Sequence, residues 1–244
     1  MSTHAAEAVD GRAQANLIAV RDALQRVTVG HEALVERLLI ALLSGGHVLL
    51  EGPPGVAKTR TVKRFAALLD TRFVRVQATP DLLPADLTGT DVLRGDGAFH
   101  FLPGPLFNHV VLVDEVNRAP PKVQSALLEA MGEHQISTGG VTRALEEPFL
   151  VAATQNPLEH EGTYPLPEAQ LDRFMFQVDL ALPDIAHERR ILDLVLGEND
   201  GADAPDTSPL TDARAILQAR HHVSGIYLAP AVRDYIVRLV GATR

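Results

Sequence analysis

No cysteine occurs anywhere in the 244 residues, which excludes a disulfide framework and thiolate chemistry. No apolar run approaches the roughly 18–20 residues needed to span a bilayer, so no membrane span is expected. The opening "MSTHAAEAVDGRAQAN" lacks the charged-then-apolar order of a secretion signal. With cysteine absent as well, a cytoplasmic location is expected. Basic residues are outnumbered: 22 Lys and Arg against 31 Asp and Glu leave a formal charge of −9. A duplex-binding surface usually leaves a basic excess, because affinity comes from neutralising phosphates. Nucleic acid is therefore not expected as the main partner. Aromatic residues are only 5% of the chain while hydrophobic residues reach 46%, which implies a packed aliphatic core rather than disorder. The ten histidines offer no H-E-x-x-H pattern, and "RHHV" has no carboxylate at ligand spacing. His221 and His222 are read as ordinary helix-surface residues.

At this length one large domain and a smaller one are expected. Residues 1–16 read as a flexible leader. "LIAVRDALQRV" and "HEALVERLLIALLSGG" carry apolar residues at helical spacing, the second ending at Gly45–Gly46. "HVLLEG" is a short apolar run ending in a turn signal, a buried strand, and "KTRTVKRFAALLD" is the helix after it. "RFVRVQ", residues 72–77, is a further strand. Residues 78–107 break the rhythm with prolines, glycines and a possible hairpin, "TDVLRGDGAFHFLPG". "HVVLVDE" is then a fully apolar strand ending in two carboxylates, and "APPKVQSALLEAMGEH" a helix that opens with prolines. "FLVAATQNP" and "FMFQVDL" supply the last strands. Strands separated by helical stretches predict an α/β fold, a parallel sheet flanked by helices on both faces. From Pro183 the pattern turns helical, in three stretches interrupted by the acidic, turn-rich "GENDGADAPDTSP" at 197–209. The expected domains are thus 17–182 and a small helical lid at 183–244.

"EGPPGVAKT", residues 51–59, nearly spells a phosphate-binding loop, with Ala57 where the pattern wants glycine. Such loops surround an anion with backbone N–H groups and a helix N-terminus, while lysine reaches the terminal phosphates. Gly52, Gly55 and Lys58 are in place, and the Thr59 hydroxyl is the expected magnesium ligand. Pro53, Pro54, Val56, Ala57 and Arg60 complete the loop. A left-handed backbone at Ala57 would cost only about 1–2 kcal/mol, small beside many charge-assisted bonds. "VVLVDE" places Asp114 and Glu115 at the carboxyl end of a buried strand, where open α/β sheets put their ligands. Their expected roles are to hold the metal's water shell and to orient or deprotonate the attacking water. Asn156, at the end of "FLVAATQN", is placed to reach a γ-phosphate from a neighbouring parallel strand; otherwise it starts an Asn-Pro turn. Arg173 in "LPEAQLDRF" stands out only by its position before the last strand.

In this order and spacing, "GPPGVAKT", "VVLVDEVNRAPPKVQSALLEAM", "ATQNP" and "YPLPEAQLDRFMF" resemble the MoxR family of AAA+ ATPases, whose fold is that of P-loop NTPases. The resemblance implies that alanine is tolerated in the loop. It implies that Lys58 and Thr59 are the phosphate-loop pair, Asp114 and Glu115 the metal and catalytic acids, Asn156 the first sensor, and Arg173 an arginine finger for a neighbouring subunit. "VTVG", with Val29 and Gly30, resembles the segment over the adenine, and 78–107 the insertion toward a ring's central pore. ATP or ADP with Mg2+ are the implied ligands. A ring of identical subunits, a hexamer, is the implied assembly, acting as a chaperone that remodels, activates or matures client proteins, with von Willebrand factor A domain proteins as fitting partners. The "GASPRA"-like stretch carrying a second sensor arginine is not found before Arg244, so the lid is expected to be incomplete, with slow turnover and poor ring formation. A nucleotide-controlled assembly scaffold with little turnover stays open as an alternative, and so does a nucleic-acid-remodelling AAA+ motor.

Overall fold

The computed structural model describes residues 3–93, 95, 97–157, 162–199 and 208–243, with 3–10 and 197–199 described as helical backbone only. Helix α1 spans Thr3–Val27, so the expected leader at 1–16 is helical from Thr3 on. Its side chains at Ala13, Val20 and Leu24 are buried. A seven- and four-residue spacing of small and branched apolar groups continues the helix backwards past the predicted start at Leu17.

Helix α2, Glu32–Ser44, buries Leu34, Val35, Leu38, Leu39, Ala41 and Leu42 on one side. It stops at Gly45, whose left-handed φ of 70° lets its N–H close on Ala41 O. The chain then enters β1 (Val48–Glu51), and α3 (Lys58–Leu68) and β2 (Phe73–Gln77) follow. Strand β5 (Val110–Asp114), helix α5 (Pro121–Glu133), strand β8 (Leu150–Gln155) and strand β9 (Phe176–Asp179) complete the main α/β frame. The five strands run in the order β2-β5-β8-β1-β9, and every neighbouring pair is parallel.

Alternation along each strand divides the core into two layers. Leu50, Leu112 and Ala152 meet α1, α2 and α3 on one face. Leu49, Val111, Val113 and Val151 meet α5 on the other. Because both faces are covered, β5 is buried along its whole length and reads as a continuous apolar run.

Within 78–107 lie helix α4 (Pro84–Thr88) and the antiparallel hairpin of β3 (Gly89–Leu93) and β4 (Phe99–Pro103). A second hairpin, β6 (Gln135–Thr138) and β7 (Val141–Ala144), is a feature the sequence reading missed. Its signal was present. Gly139 and Gly140, both at positive φ, form the two-residue turn favoured by twisted hairpins. A short helix α6, Glu168–Leu171, precedes β9.

After β9 come α7 (Ile185–Asn199), α8 (Ala213–Ser224) and α9 (Pro230–Ala242). Helix α7 runs three residues into the loop expected at 197–209, and positions 200–207 lie outside the described residues. Helix α8 packs onto the main layer: Ile216 and Ala219 are buried, and Arg220 Nε donates to Leu42 O at 2.6 Å. His221 and His222 are exposed on α8. Among the described residues, no helix is long and apolar enough to cross a membrane.

Candidate functional site

The loop between β1 and α3 opens at the carboxyl ends of β1, β5 and β8. Gly52 is squeezed there: a Cβ would lie 2.5 Å from Leu180 O, where the chain leaves β9. Gly55, at φ 89°, faces open space. Ala57 takes the left-handed conformation, φ 57° and ψ 20°, that the glycine of the usual pattern would adopt without cost. Helix α3 begins at Lys58, so its first N–H groups have no intrahelical partner and present partial positive charge to the loop.

Lys58 Nζ donates to Gly52 O at 2.6 Å. Burial pulls its pKa below the ordinary lysine value, opposed by the nearby Asp114, Glu115 and Glu51 carboxylates. An arriving polyanion would add to those carboxylates and favour the charged form.

Asp114, the buried last residue of β5, is held on both oxygens. Oδ1 accepts from Thr154 Oγ1 at 3.2 Å. Oδ2 accepts from Thr59 Oγ1 at 3.3 Å and from Arg75 Nε at 2.5 Å. Glu115 follows with a left-handed backbone, φ 56° and ψ 49°, a conformation that costs a non-glycine residue about 1–2 kcal/mol. Its N–H donates to Thr154 Oγ1 at 2.9 Å, which fixes the turn. Its Oε2 accepts from Gln77 Nε2 at 3.0 Å and pairs with Arg118 Nε at 3.0 Å. Buried Asn156 lies one residue past β8 and lines the same cleft.

This cleft measures about 360 Å³, and nine of its twelve lining residues are polar or charged, including Lys58, Thr59, Asp114, Glu115 and Asn156. A second recess of about 280 Å³ shares Gly55, Ala57 and Arg60 with it, and is walled by Val29, Val56, Leu182 and Ile191. A charged end and an apolar end therefore meet at one loop. Gly30 lies beside the apolar end, under the His187 ring, which a Cβ there would approach to 3.3 Å. Gly52 and Pro53 do not line either recess; Gly52 acts through its carbonyl and its lack of a side chain.

Arg173 is not in its own chain's cleft. Its Nη1 donates to Leu128 O of α5 at 3.0 Å, against Gly132, where any side chain would collide with it. Arg75, Gln77, Arg118 and Thr154 were not singled out from the sequence, although all four touch Asp114 or Glu115. Arg75 and Gln77 alternate along β2 toward the same side, a period-two signal that had no target until the strand order was known.

The donors suit magnesium. Thr59 Oγ1 and Asp114 Oδ2 are hard oxygens within 3.3 Å of each other, and magnesium takes one or two carboxylates and otherwise relies on water and phosphate oxygens. Among the described residues no cluster of three His, Cys, Asp or Glu side chains forms an all-protein metal cage.

Comparison with known proteins gives this geometry its context. The profile described as "ATPase family associated with various cellular activities (AAA)" matches residues 47–176. The chain is 47% identical over 222 residues to Chaperone MoxR1 of Mycobacterium tuberculosis, covering 91% of this chain and 58% of that protein. It is 42% identical to YeaC of Bacillus subtilis, across 91% of this chain and 68% of that one. Protein MoxR of Paracoccus denitrificans is 32% identical, with 91% and 68% covered. A crystal structure named for a candidate ATPase from Cytophaga hutchinsonii superposes with a TM-score of 0.89 at 42% identity, covering all of this chain and 73% of that one. A loop of this form beside Asp114 and Glu115, on a five-stranded parallel sheet, occurs here in a sequence that matches these relatives along most of its length: the chain belongs to the MoxR family of AAA+ ATPases.

Proposed function

We propose that this chain binds ATP with magnesium and hydrolyses it, and that it serves as the motor of a MoxR-type chaperone. The observation that carries this reading is the convergence of Lys58, Thr59, Asp114, Glu115 and Asn156 in one polar cleft beside an apolar recess. Lys58 would exchange Gly52 O for the terminal phosphates. Thr59 and Asp114 would hold Mg2+, which when bound neutralises charge spread over the phosphates. Glu115 would orient the attacking water and accept its proton, and must first leave Gln77 and Arg118 to do so. Asn156 would direct its amide to the γ-phosphate. The apolar recess with Val29 would take the base.

Arg173 is the proposed arginine finger for a neighbouring subunit, which accords with its side chain lying against α5, away from its own chain's cleft. A hexameric ring is the assembly proposed with that role. Client remodelling is proposed from the names of the MoxR relatives, one of them a chaperone; von Willebrand factor A domain proteins are the proposed client class, and the cytoplasm the proposed location. Two substitutions test the core of the proposal. Lys58→Ala should abolish ATP binding. Glu115→Gln should bind Mg-ATP as well as the parent, yet turn it over at least about tenfold more slowly, a barrier rise of about 1.4 kcal/mol. Unchanged turnover in Glu115→Gln refutes its role as base. Stimulation of turnover by added DNA would point to a nucleic-acid motor instead.

A further inference from the structure

Three cations approach the two acids of the cleft, and they do so differently. Lys58 bonds to its own loop, and Arg118 lies three residues from Glu115 on the same turn. Arg75 comes from a different strand and lands on Asp114 Oδ2, the same oxygen that accepts from Thr59 Oγ1. The other oxygen, Oδ1, is taken by Thr154 from inside the sheet. Oδ2 is therefore the oxygen available from the cleft, and the guanidinium sits at it.

Arg75 also reaches further. Its Nη2 donates to Gln77 Oε1 at 3.4 Å, and Gln77 Nε2 donates to Glu115 Oε2 at 3.0 Å. The amide orientation is fixed by these two contacts, since only a carbonyl can accept from the guanidinium and only an NH2 can donate to a carboxylate. One cation on β2 thus ties the two acids together through a single amide. Both β2 side chains line the cleft.

Asp114 needs such a cation. Its side chain is 8% exposed, and a buried carboxylate without a charged partner is expensive. Arg75 is 52% exposed, so it can leave for water at little cost of its own. A half-exposed arginine is a modest, replaceable partner.

We propose that Arg75 is a stand-in cation: it occupies Asp114 Oδ2 when no divalent ion is bound, and a divalent ion must displace it. The proposal rests on the reading of Asp114 as the metal acid. Displacement has a second effect. Without Asp114 to anchor it, the guanidinium releases Gln77 Oε1, and the amide loses the contact that orients it toward Glu115. Metal arrival at one acid then loosens the hold on the other. Arg75 acts in this way as a positioning residue, with no contact to the reacting atoms required.

The experiment measures the affinity of the purified chain for a fluorescent ATP analogue, in EDTA and across a MgCl2 titration. Competition lowers the apparent affinity for the metal by the fraction of Asp114 left free. Arg75→Gln should therefore lower the Mg2+ concentration at half effect by about fivefold, the size expected for loss of a half-exposed pair. Affinity in EDTA should stay unchanged. Arg75→Lys, which keeps the charge but not the fork, should fall between the parent and Arg75→Gln. In EDTA, Arg75→Gln should also melt below the parent, and added MgCl2 alone should close the gap. If Arg75→Gln does not fold, the midpoint in Arg75→Lys decides. Asp114→Asn separates the two layers of the argument. If it abolishes the Mg2+ effect while Arg75→Gln leaves the midpoint where it was, the stand-in role is wrong and Asp114 keeps its own. If Asp114→Asn retains the full Mg2+ effect, the reading of Asp114 fails and the stand-in role with it. Weaker nucleotide binding by Arg75→Gln in EDTA, with no change in midpoint, would make Arg75 a phosphate ligand and overturn the proposal.

Discussion

Ala57 offers a test in which the sign is not obvious beforehand. Its backbone sits at φ 57° and ψ 20°, where an L-residue other than glycine pays about 1–2 kcal/mol. Ala57→Gly removes that strain, but the more flexible glycine costs roughly 0.5–1 kcal/mol through the unfolded chain. Strain relief wins narrowly, by about 0.5–1 kcal/mol. In a chain of this size that corresponds to a melting shift of about 1–4 °C upward. The Ala57 methyl lies on an exposed position shared by both recesses, so its loss should change ATP affinity by less than about threefold, under 1 kcal/mol. Gly52→Ala is the opposite case. Its new Cβ would meet Leu180 O at 2.5 Å and Leu180 Cβ at 3.0 Å, both part of the chain leaving β9. Backbone must move there, at about 1–3 kcal/mol. Urea midpoints and thermal melts of the two variants, with fluorescent-nucleotide titrations beside them, measure all of this. A lower melting temperature for Ala57→Gly refutes the left-handed strain argument. A large gain in affinity would show that alanine had weakened the loop.

Other expectations are independent of that one. Arg173→Ala subunits and Lys58→Ala subunits, each inactive alone, should recover turnover when mixed, at interfaces that pair an intact loop with an intact arginine; mixed oligomers without any recovery would refute action in trans. Thr154→Val keeps the shape but strips a donor from Asp114 Oδ1 and an acceptor from the Glu115 N–H, which should cost about 1–3 kcal/mol in a urea titration. His47 is fixed as the neutral ring: Nδ1 accepts from Val151 N–H at 3.0 Å, so the Nε2–H donates to Met131 O at 3.1 Å. Burial first, then the nearby His134 and Arg220 charges, push its pKa down from 6.5 to about 4. Between those values the unfolded chain holds the proton and the folded chain does not, so this stability is complete above pH 6.5 and is lost as pH falls toward 4. At about 1.4 kcal/mol per pH unit the loss reaches about 3 kcal/mol. The pH slope of the urea midpoint should flatten in His47→Gln; an unaltered slope refutes the assignment.

Much of the molecule was legible in the chain because its signals are local. A loop between a strand and a helix needs only consecutive residues, so "GPPGVAKT" announced itself. An apolar run such as "VVLVD" says that both faces of a strand are covered, and the acids after it then fall at the end where parallel sheets bind ligands. The second hairpin was harder. Its strands are four residues long and mostly polar or exposed, and its one strong mark, Gly139–Gly140, was passed over. The first helix was started too late because Ala-rich sequence before Leu17 looks as mobile as it looks helical.

What lies around the acids could not be read that way. Strand β5 is flanked by β2 and β8, whose nearest ends lie 33 and 36 residues from it along the chain (77 to 110 and 114 to 150), and no pattern in the sequence announces either pairing. Pairing sets Gln77 beside Asp114, and the next outward residue on that face is Arg75. On the other side, Val113 pairs with Ala153, which brings Thr154 level with Asp114. Arg173, between α6 and β9, finds its partner in the same way, by proximity in space: Leu128 O of α5, 45 residues earlier. Residue types and local spacing therefore determined that this chain has a glycine-containing loop between a buried strand and a helix, and a pair of acids at the end of another strand. Which side chains hold those acids was decided by strand order and register alone, because a hydrogen-bond partner is chosen by distance in space and no local pattern encodes it.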